Sequence, residues 1–288
     1  MKRKIVSMVE RQLSYCAAEV RRHDPDRFMT ALFAPAERRE ALWALYAFNL
    51  EVAKTREVVS EILIGRIRLQ WWREAIAEIY EGKMRAHAVI RPLAEAIGRT
   101  KLSRSHFERL IDAREFDLDE AAPATLEALE IYAEGTSSTL VALALEALGA
   151  KGSQADAVSR PLGIAWALVG LLRALPFHAQ QRRLFLPRDL VDAAGIRPND
   201  LFERGGIAGV PVVVGAVANR AREHLAEARR QRGDLPRALL PALLPGILAD
   251  GYLTELRRAA YNPFTLDLTR KRPWRPLRLL LASTLGRY

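Results

Sequence analysis

The sequence predicts an all-α protein, because its composition and the spacing of its apolar residues both favour helices. Of its 288 residues, 50% are hydrophobic and only 17 are glycine, and Ala and Leu dominate, which is typical of compact helical proteins. Apolar residues recur at helical intervals along most of the chain. The only strand-like stretch, Val212–Val214, is too isolated to build a sheet.

The helices are expected in succession from the N-terminus. Apolar residues with helical spacing place the first helix over Ser7–Arg22, and Asp24–Asp26 is predicted to form a turn. Pro35 lies near the first position of the second helix, which includes Arg38–Glu61. By the same criteria, further helices are predicted over residues 64–80, 87–97, 103–112, 187–192, 197–202, 210–232 and 236–260.

The longest apolar stretch lies in the second half of the chain. Leu162–Leu172 contains eleven uncharged residues and is too short to span a bilayer, so a buried helix is predicted. Pro176 lacks the N–H group that would bond to the carbonyl of Leu172, and the helix is therefore expected to kink or end there. Gly135–Thr139 lacks the lysine of a phosphate-binding loop and is interpreted as a small-residue contact between helices.

Charge and cysteine content limit the classes of function. The net charge of +10 and the pI near 10.1 indicate an acidic partner, but the arginines are scattered and form no recognisable nucleic-acid module. A single cysteine, Cys16, excludes an intrachain disulfide and CxxC zinc sites, and the five histidines show no HExxH spacing. The basic stretch Met1–Glu10 is followed by no apolar signal region, so a cytoplasmic or organelle-matrix protein is expected.

Three stretches of the sequence resemble the signatures of the squalene/phytoene synthase family. They are RREALWALYAF at 38–48, RLQWWR at 68–73 and LGIAWALVGLLRALPFHAQQRRLFLP at 162–187. The resemblance implies the isoprenoid synthase fold, with helices around a central cavity in one domain over 1–288. In that family, two Asp-rich motifs hold magnesium and substrate diphosphate across the cavity.

The chain departs from the family at these acidic positions. Ala53, Lys54 and Glu57 stand where the first Asp-rich motif belongs, and Ala174 and His178 replace the two aspartates of the second. Aspartates four residues apart share one helical face and can reach a common magnesium ion. The resemblance therefore implies two degenerate motifs, with no catalytic residue, no metal and no cofactor.

Several cations remain close to the degenerate motifs. One interpretation is a residual site for diphosphate or another anion, built without metal from Lys54, Arg56 and Arg173. The other is an exposed helix face on which Lys54 pairs with Glu57.

Two further groups of residues have both a structural and a functional interpretation. Trp71 and Trp72 are assigned to core packing in preference to ligand stacking. Asp117, Asp119 and Glu120 could indicate a metal site, but the resemblance implies only that this segment borders the substrate pocket. Solvation of a helix end is the preferred interpretation.

Residues 262–288 form a basic, amphipathic C-terminal tail. Trp274, Leu277, Leu281 and Leu285 fall on one helical face, and no acidic residue follows Asp267. An interfacial helix for a membrane or a partner is one interpretation. The alternative is a helix that closes the core, with its arginine side chains extending to solvent. The basic residues of the tail are Arg270, Lys271, Arg272, Arg275, Arg278 and Arg287.

Within the family, the sequence resembles an aspartate-less branch that contains a mitochondrial assembly factor for respiratory complex I. The resemblance implies a non-catalytic, membrane-associated assembly or biogenesis factor for NADH:ubiquinone oxidoreductase. The implied partners are complex I subunits, an anionic membrane surface and an isoprenoid or lipid in the cavity. Nucleic acid is not an implied partner. The implied location is the cytoplasm or the inner face of the cytoplasmic or mitochondrial inner membrane. The alternative function is a magnesium-dependent prenyltransferase of the phytoene or squalene synthase type, which condenses two prenyl diphosphates head to head.

Overall fold

A computed structural model of the chain describes residues 13–59, 61–119, 121–150, 152–233, 235–266, 274–286 and 288. These described residues form α-helices joined by turns and contain no β-strand, so the all-α prediction is confirmed. The α-helices are α1 (Tyr15–His23), α2 (Pro25–Ala31), α3 (Ala36–Ala53), α4 (Thr55–Val58), α5 (Ile62–Tyr80), α6 (Ile90–Thr100), α7 (Arg104–Ala113), α8 (Leu126–Ala133), α9 (Thr139–Ala147), α10 (Ser153–Gln180), α11 (Arg188–Ala193), α12 (Pro198–Arg204), α13 (Val210–Gln231), α14 (Leu240–Leu243), α15 (Pro245–Arg258) and α16 (Trp274–Leu285).

The long helix α10 is the centre of the fold. It packs against α13, α9 and α15 and against a π-helical turn, Glu134–Ser138, between α8 and α9. Leu162 and Leu168 are fully buried, as predicted for the apolar stretch. Gly163 lies directly against Ser138, so the predicted small-residue contact between helices is confirmed. This close approach fixes α8 and α9 against α10.

Of the two outcomes expected at Pro176, a kink or an end of the helix, the end was wrong, and the predicted turn at residues 24–26 was wrong as well. α10 does not end at Pro176 but continues to Gln180, because one missing backbone hydrogen bond is outweighed by the burial of Leu172, Leu175 and Ala179. Of residues 24–26, only Asp24 lies between the helices, because Pro25 already begins α2. The Asp24 side chain accepts a hydrogen bond from the Arg27 N–H and caps α2.

The predicted second helix is divided into two parts, and the helix predicted over 64–80 begins two residues earlier than expected. α3 ends at Ala53, the short helix α4 follows, and α5 begins at Ile62. This break turns the chain at one end of α10 and opens a space between the elements. The region predicted as one helix over 236–260 is likewise divided into a 3-10 turn, α14 and α15. The part of the first predicted helix before Leu13 lies outside the described residues.

The tryptophan pair on α5 belongs to the core. Trp72 is fully buried and makes edge-to-face contacts with Phe48 and His87. Trp71 is partly buried below the guanidinium of Arg85. These contacts support the packing interpretation over ligand stacking.

Two helical segments are long and apolar enough to cross a membrane by length and composition. They are Ser153–Gln180 and Arg237–Arg258, and 50% and 72% of their most apolar windows are buried in the fold. Core helices of a folded domain pass the same test, so the finding by itself assigns neither segment to a bilayer.

Candidate functional site

A cavity of about 700 Å³ lies where α3 and α4 meet the C-terminal end of α10. The turn after α7 and one side of α8 complete its walls. The lining is basic and aromatic, with few carboxylates. It consists of Ala53, Arg56, Glu57, Arg114, Asp117, Tyr132, Leu171, Phe177, His178, Gln181, Arg182, Arg183 and Phe185.

A hydrogen-bonded network closes the floor of this cavity. Asp117 accepts from Arg114 Nη1 at 3.0 Å and from the Tyr132 hydroxyl at 2.7 Å. Arg114 also reaches the Oδ1 of Asn49 at 3.5 Å, and Arg183 Nη2 donates to the Asp117 carbonyl at 2.7 Å. Both carboxylate oxygens of Asp117 therefore have partners within the protein.

The local backbone explains why this acidic residue enters the cavity. Arg114–Leu118 is a 3-10 helix, in which side chains three residues apart lie one above the other. Arg114 and Asp117 thus face the same side and pair. Assigning Asp117 to helix-end solvation was wrong, since it is buried in the network. Asp119 is exposed as predicted, and Glu120 lies outside the described residues.

His178 is the residue of the second degenerate motif that lines the cavity. Burial, reinforced by the neighbouring Arg183, lowers the pKa of its imidazole to about 4. The ring packs 4.6 Å from the ring of Phe185, and its Nδ1 atom is buried without a hydrogen-bond partner. At neutral pH His178 is therefore an uncharged aromatic group.

The structure brings only some of the predicted site residues together. Ala53, Glu57 and His178 line the same cavity, so residues assigned to both predicted motifs come together, and Arg56 also lines it. Lys54 and Ala174 are not among the lining residues. Lys54 pairs with Glu19, with Nζ 3.9 Å from Oε2, instead of with Glu57.

Arg173 is also directed away from the cavity. Its Nη1 atom lies 3.6 Å from Asp26 Oδ2, and its guanidinium lies 3.4 Å from the centre of the Tyr252 ring. The three-residue anion site predicted from sequence is therefore not assembled. The cations that line the cavity together with Arg56 are instead Arg114, Arg182 and Arg183. Of these, only Arg183 had a sequence signal, because within the stretch 162–187 it coincides with an arginine of the family signature, whereas Arg182 does not.

The cavity residues do not fit a magnesium ion. The lining offers two carboxylates, Glu57 and Asp117, and the second is engaged by Arg114 and Tyr132. Magnesium is usually held by one or two free carboxylates together with substrate phosphates. Across the part of the chain that the structure describes, no three His, Cys, Asp or Glu side chains form a group that could hold a metal ion.

The cavity has an excess of positive charge. Arg56, Arg182 and Arg183 line it, and none of them has a carboxylate within 4.0 Å among the residues described. Arg56 donates to the Val59 carbonyl and Arg182 to the Asn199 side chain. Such guanidinium groups can bind an anion directly, without a bridging metal.

The C-terminal helix packs on the core, as one of the two interpretations of the tail predicts. Leu279 and Ala282 are buried against the fold, and Arg275 Nη1 lies 3.2 Å from Asp26 Oδ1. The opposite face exposes Leu277, Leu280, Leu281 and Leu285. α16 therefore closes the core and also presents an apolar stripe. Arg270, Lys271, Arg272, Arg287 and the Trp274 side chain lie outside the described residues.

Comparison with known proteins agrees with this geometry. Residues 20–278 match the squalene/phytoene synthase family. A Bos taurus protein, "NADH dehydrogenase (ubiquinone) complex I, assembly factor 6", is 35% identical over 274 residues, which cover 95% of this chain and 82% of the relative. The presqualene diphosphate synthase of Rhodopseudomonas palustris is 28% identical over 253 residues, covering 88% and 87%. A solved dehydrosqualene synthase superposes with a TM-score of 0.83 at 18% identity, covering 94% of each chain, and so shares the fold. The chain belongs to the squalene/phytoene synthase family.

Proposed function

We propose that this protein is a non-catalytic member of its family that supports assembly of NADH:ubiquinone oxidoreductase (complex I) at a membrane. The observation that carries the proposal is the cavity between the two degenerate motifs. There, Ala53 and Glu57 face His178, and arginines supply most of the charge. The 35% identity to a complex I assembly factor supports the assembly role.

The charge of the cavity argues against prenyl transfer. Ionisation of an allylic diphosphate releases pyrophosphate, and negative charge develops on this leaving group in the transition state. A catalyst must stabilise the developing charge more strongly than it stabilises the bound substrate. Metal ions held by acidic helices can supply that difference. Fixed arginines such as Arg182 and Arg183 bind substrate and leaving group to similar extents, which favours binding over acceleration.

The alternative function is head-to-head condensation of two prenyl diphosphates. Its support is the retained fold and the 28% identity to a presqualene diphosphate synthase. The two functions make opposite predictions for one assay. Purified protein is incubated with farnesyl or geranylgeranyl diphosphate and magnesium, and the extracted lipids are analysed by mass spectrometry. No squalene, phytoene or cyclopropyl precursor is expected above a no-protein control, and their formation would refute the non-catalytic proposal.

The assembly role requires a genetic test. Deletion of the gene should reduce assembled NADH dehydrogenase on native gels, and the wild-type gene should restore it. A Glu57→Gln variant should restore assembly equally well, because it removes a carboxylate that the proposed role does not use. Normal levels of the assembled enzyme in the deletion strain would contradict the assembly role.

A second proposal concerns the ligand of the cavity. The excess of arginines beside Phe177, Phe185 and Leu171 suits an amphiphile with an anionic head and an apolar chain, such as an isoprenoid phosphate or another acidic lipid. The head would contact the guanidinium groups directly. This ligand class is compatible with a non-catalytic role, because binding alone requires no metal.

Pyrophosphate binding should therefore not depend on magnesium. In calorimetric titrations, binding should persist when a chelator removes magnesium. Arg182→Ala should weaken binding by about tenfold, the effect of one lost charge-assisted hydrogen bond. Arg91→Ala is the matched control, because Arg91 is an exposed arginine paired with Glu95 on another face. Binding that appears only with magnesium would show that the cavity holds metal after all.

Membrane association is proposed to use the exposed stripe of α16. The double variant Leu281→Glu/Leu285→Glu should weaken binding to anionic liposomes by about tenfold or more, because two aliphatic side chains lose an apolar environment. Added salt should weaken binding of the wild-type protein, because it screens the basic tail. Point variants are preferred to truncation, since Leu279 and Ala282 belong to the core. If the double variant bound liposomes as well as the wild-type protein does, the exposed stripe of α16 would not be part of the membrane contact.

A further inference from the structure

A second apolar surface lies at the start of α5, far in sequence from the tail. We name it the α5 patch and define it as Val58 with the exposed aliphatic residues of the first two turns of α5. Their exposed fractions range from 41% to 66%. The residues are Val58, Ile62, Leu63, Ile64 and Ile67.

The patch is a local feature and not a property of the whole helix. Gly65, Leu69 and Trp72 form the buried face of α5. Leu63 and Ile67, one turn apart, lie on the outer face together. From Gln70 onwards this outer face is polar. An exposed helix face is normally polar along its length, so the first two turns differ from the usual pattern.

The patch begins beside residues that line the cavity. Arg56 and Glu57 of α4 line the cavity, and Val58 is the next residue along the chain. Phe177, which is 47% exposed, lines the same cavity from α10. An apolar chain could therefore move between a surface in contact with the patch and the interior of the cavity with little exposure to water.

The chemistry of the patch favours a lipid bilayer over a protein partner. It is entirely aliphatic and lacks the Trp and Tyr side chains that anchor most protein interfaces. Aliphatic side chains gain free energy from hydrocarbon without directional contacts. The patch thus suits a fluid, non-directional partner.

The charges around the patch favour anionic lipids. Arg66 is exposed and has no carboxylate within 4.0 Å among the described residues, and Arg56 lies on the cavity side. The N-cap residue Glu61 makes no side-chain hydrogen bond to the first turn of α5, so the first N–H groups of this helix can donate to lipid phosphates. Glu57 and Glu61 oppose this attraction locally, but the whole chain carries a net charge of +10.

We propose that the α5 patch inserts into the interfacial layer of a bilayer containing anionic lipids, with the cavity mouth facing that layer. The inference rests on the membrane association in the proposed function and adds a second contact surface to it. It also gives an acidic lipid a direct route to the arginines of the cavity.

Site-specific fluorescence tests the insertion directly. Cys16 is the only cysteine, is fully buried, and burial raises the pKa of its thiol to about 12, so it should not react with a labelling reagent at neutral pH. The variants Leu63→Cys and Val212→Cys each carry an environment-sensitive dye. Vesicles of phosphatidylglycerol and phosphatidylcholine should shift the emission of the dye at residue 63 to the blue. The dye at residue 212, equally exposed in the protein but remote in sequence, should not respond.

A charge substitution tests whether the patch contributes to affinity. The double variant Leu63→Glu/Ile67→Glu should bind the same vesicles at least about tenfold more weakly than the wild-type protein. Transfer of one aliphatic side chain from water to hydrocarbon already changes the membrane affinity by about tenfold. The control Ile131→Glu/Val212→Glu adds the same two charges at equally exposed aliphatic positions and should bind like the wild-type protein.

Three outcomes would overturn the inference, and they separate it from the broader proposal. If the wild-type protein binds vesicles while both double variants bind equally well and the dye at 63 does not shift, the patch is not the contact. If the wild-type protein fails to bind vesicles at low salt, the proposed membrane association falls as well. If the dye at 63 shifts on raising protein concentration without vesicles, the patch joins two copies of the chain instead.

Discussion

Replacing Gly163 with alanine should destabilise the protein strongly. A Cβ at residue 163 would overlap the backbone N and Cα of Ser138, and two backbones pressed together cannot yield as a flexible side chain does. Overpacking of this kind typically lowers the unfolding free energy by about 1–3 kcal/mol, and we expect the loss for Gly163→Ala to lie at or above the upper end of that range. Urea or thermal unfolding followed by circular dichroism measures the loss.

Gly170 provides a matched control on the same helix. Apart from the backbone of α10 itself and the adjacent residues, a Cβ at residue 170 would meet no atom of the described residues within 4 Å. Alanine is favoured over glycine inside a helix by about 0.5–1 kcal/mol. Gly170→Ala should therefore raise the unfolding free energy slightly, whereas Gly163→Ala lowers it. Equal stability of the two variants would contradict the close contact between α10 and the π-helical turn.

Replacing Asp117 with alanine should have the second large effect. The change removes the acceptor of both Arg114 Nη1 and the Tyr132 hydroxyl. Burial works against the charge of Arg114, whereas Tyr132 and Asp117 raise the pKa of its guanidinium. Arginine is not deprotonated in proteins even without such partners, so the cation remains after the substitution. Leaving one partner of a buried ion pair uncompensated costs about 3–5 kcal/mol. Asp119→Ala, at an exposed neighbouring position, should change the unfolding free energy by less than about 0.5 kcal/mol.

A double-mutant cycle separates this network effect from a general loss of packing. Arg114→Met removes the cation and keeps an unbranched apolar side chain of comparable length. The double variant Asp117→Ala/Arg114→Met should be more stable than Asp117→Ala alone, because no unpaired charge remains. If the two single effects simply add, the pair does not act as a unit and the network at the cavity floor is not coupled.

Much of the site could be predicted from the sequence, because its two halves occur in stretches that resemble family signatures. Ala53 and Glu57 lie on one side of the cavity and His178 on the other, as that resemblance implies. The anion-binding residues were predicted less well. Lys54 and Arg173 were chosen because they are close in sequence to the degenerate motifs, yet proximity along a helix does not fix the direction of a long side chain.

The sequence alone determined the helical class and the basic charge, because these depend on residue type and local spacing. The loss of the acidic motifs is what the family resemblance of the sequence implies. Tertiary structure alone decided which cations face the cavity. Arg173 is held by Asp26, and Lys54 by Glu19. Arg114 is directed into the floor by Asp117 and Tyr132. The side chain of a buried cation points toward a carboxylate or aromatic ring that compensates the loss of its hydration. Here those partners are supplied by α1, α2 and α8, which come together only when the chain has folded.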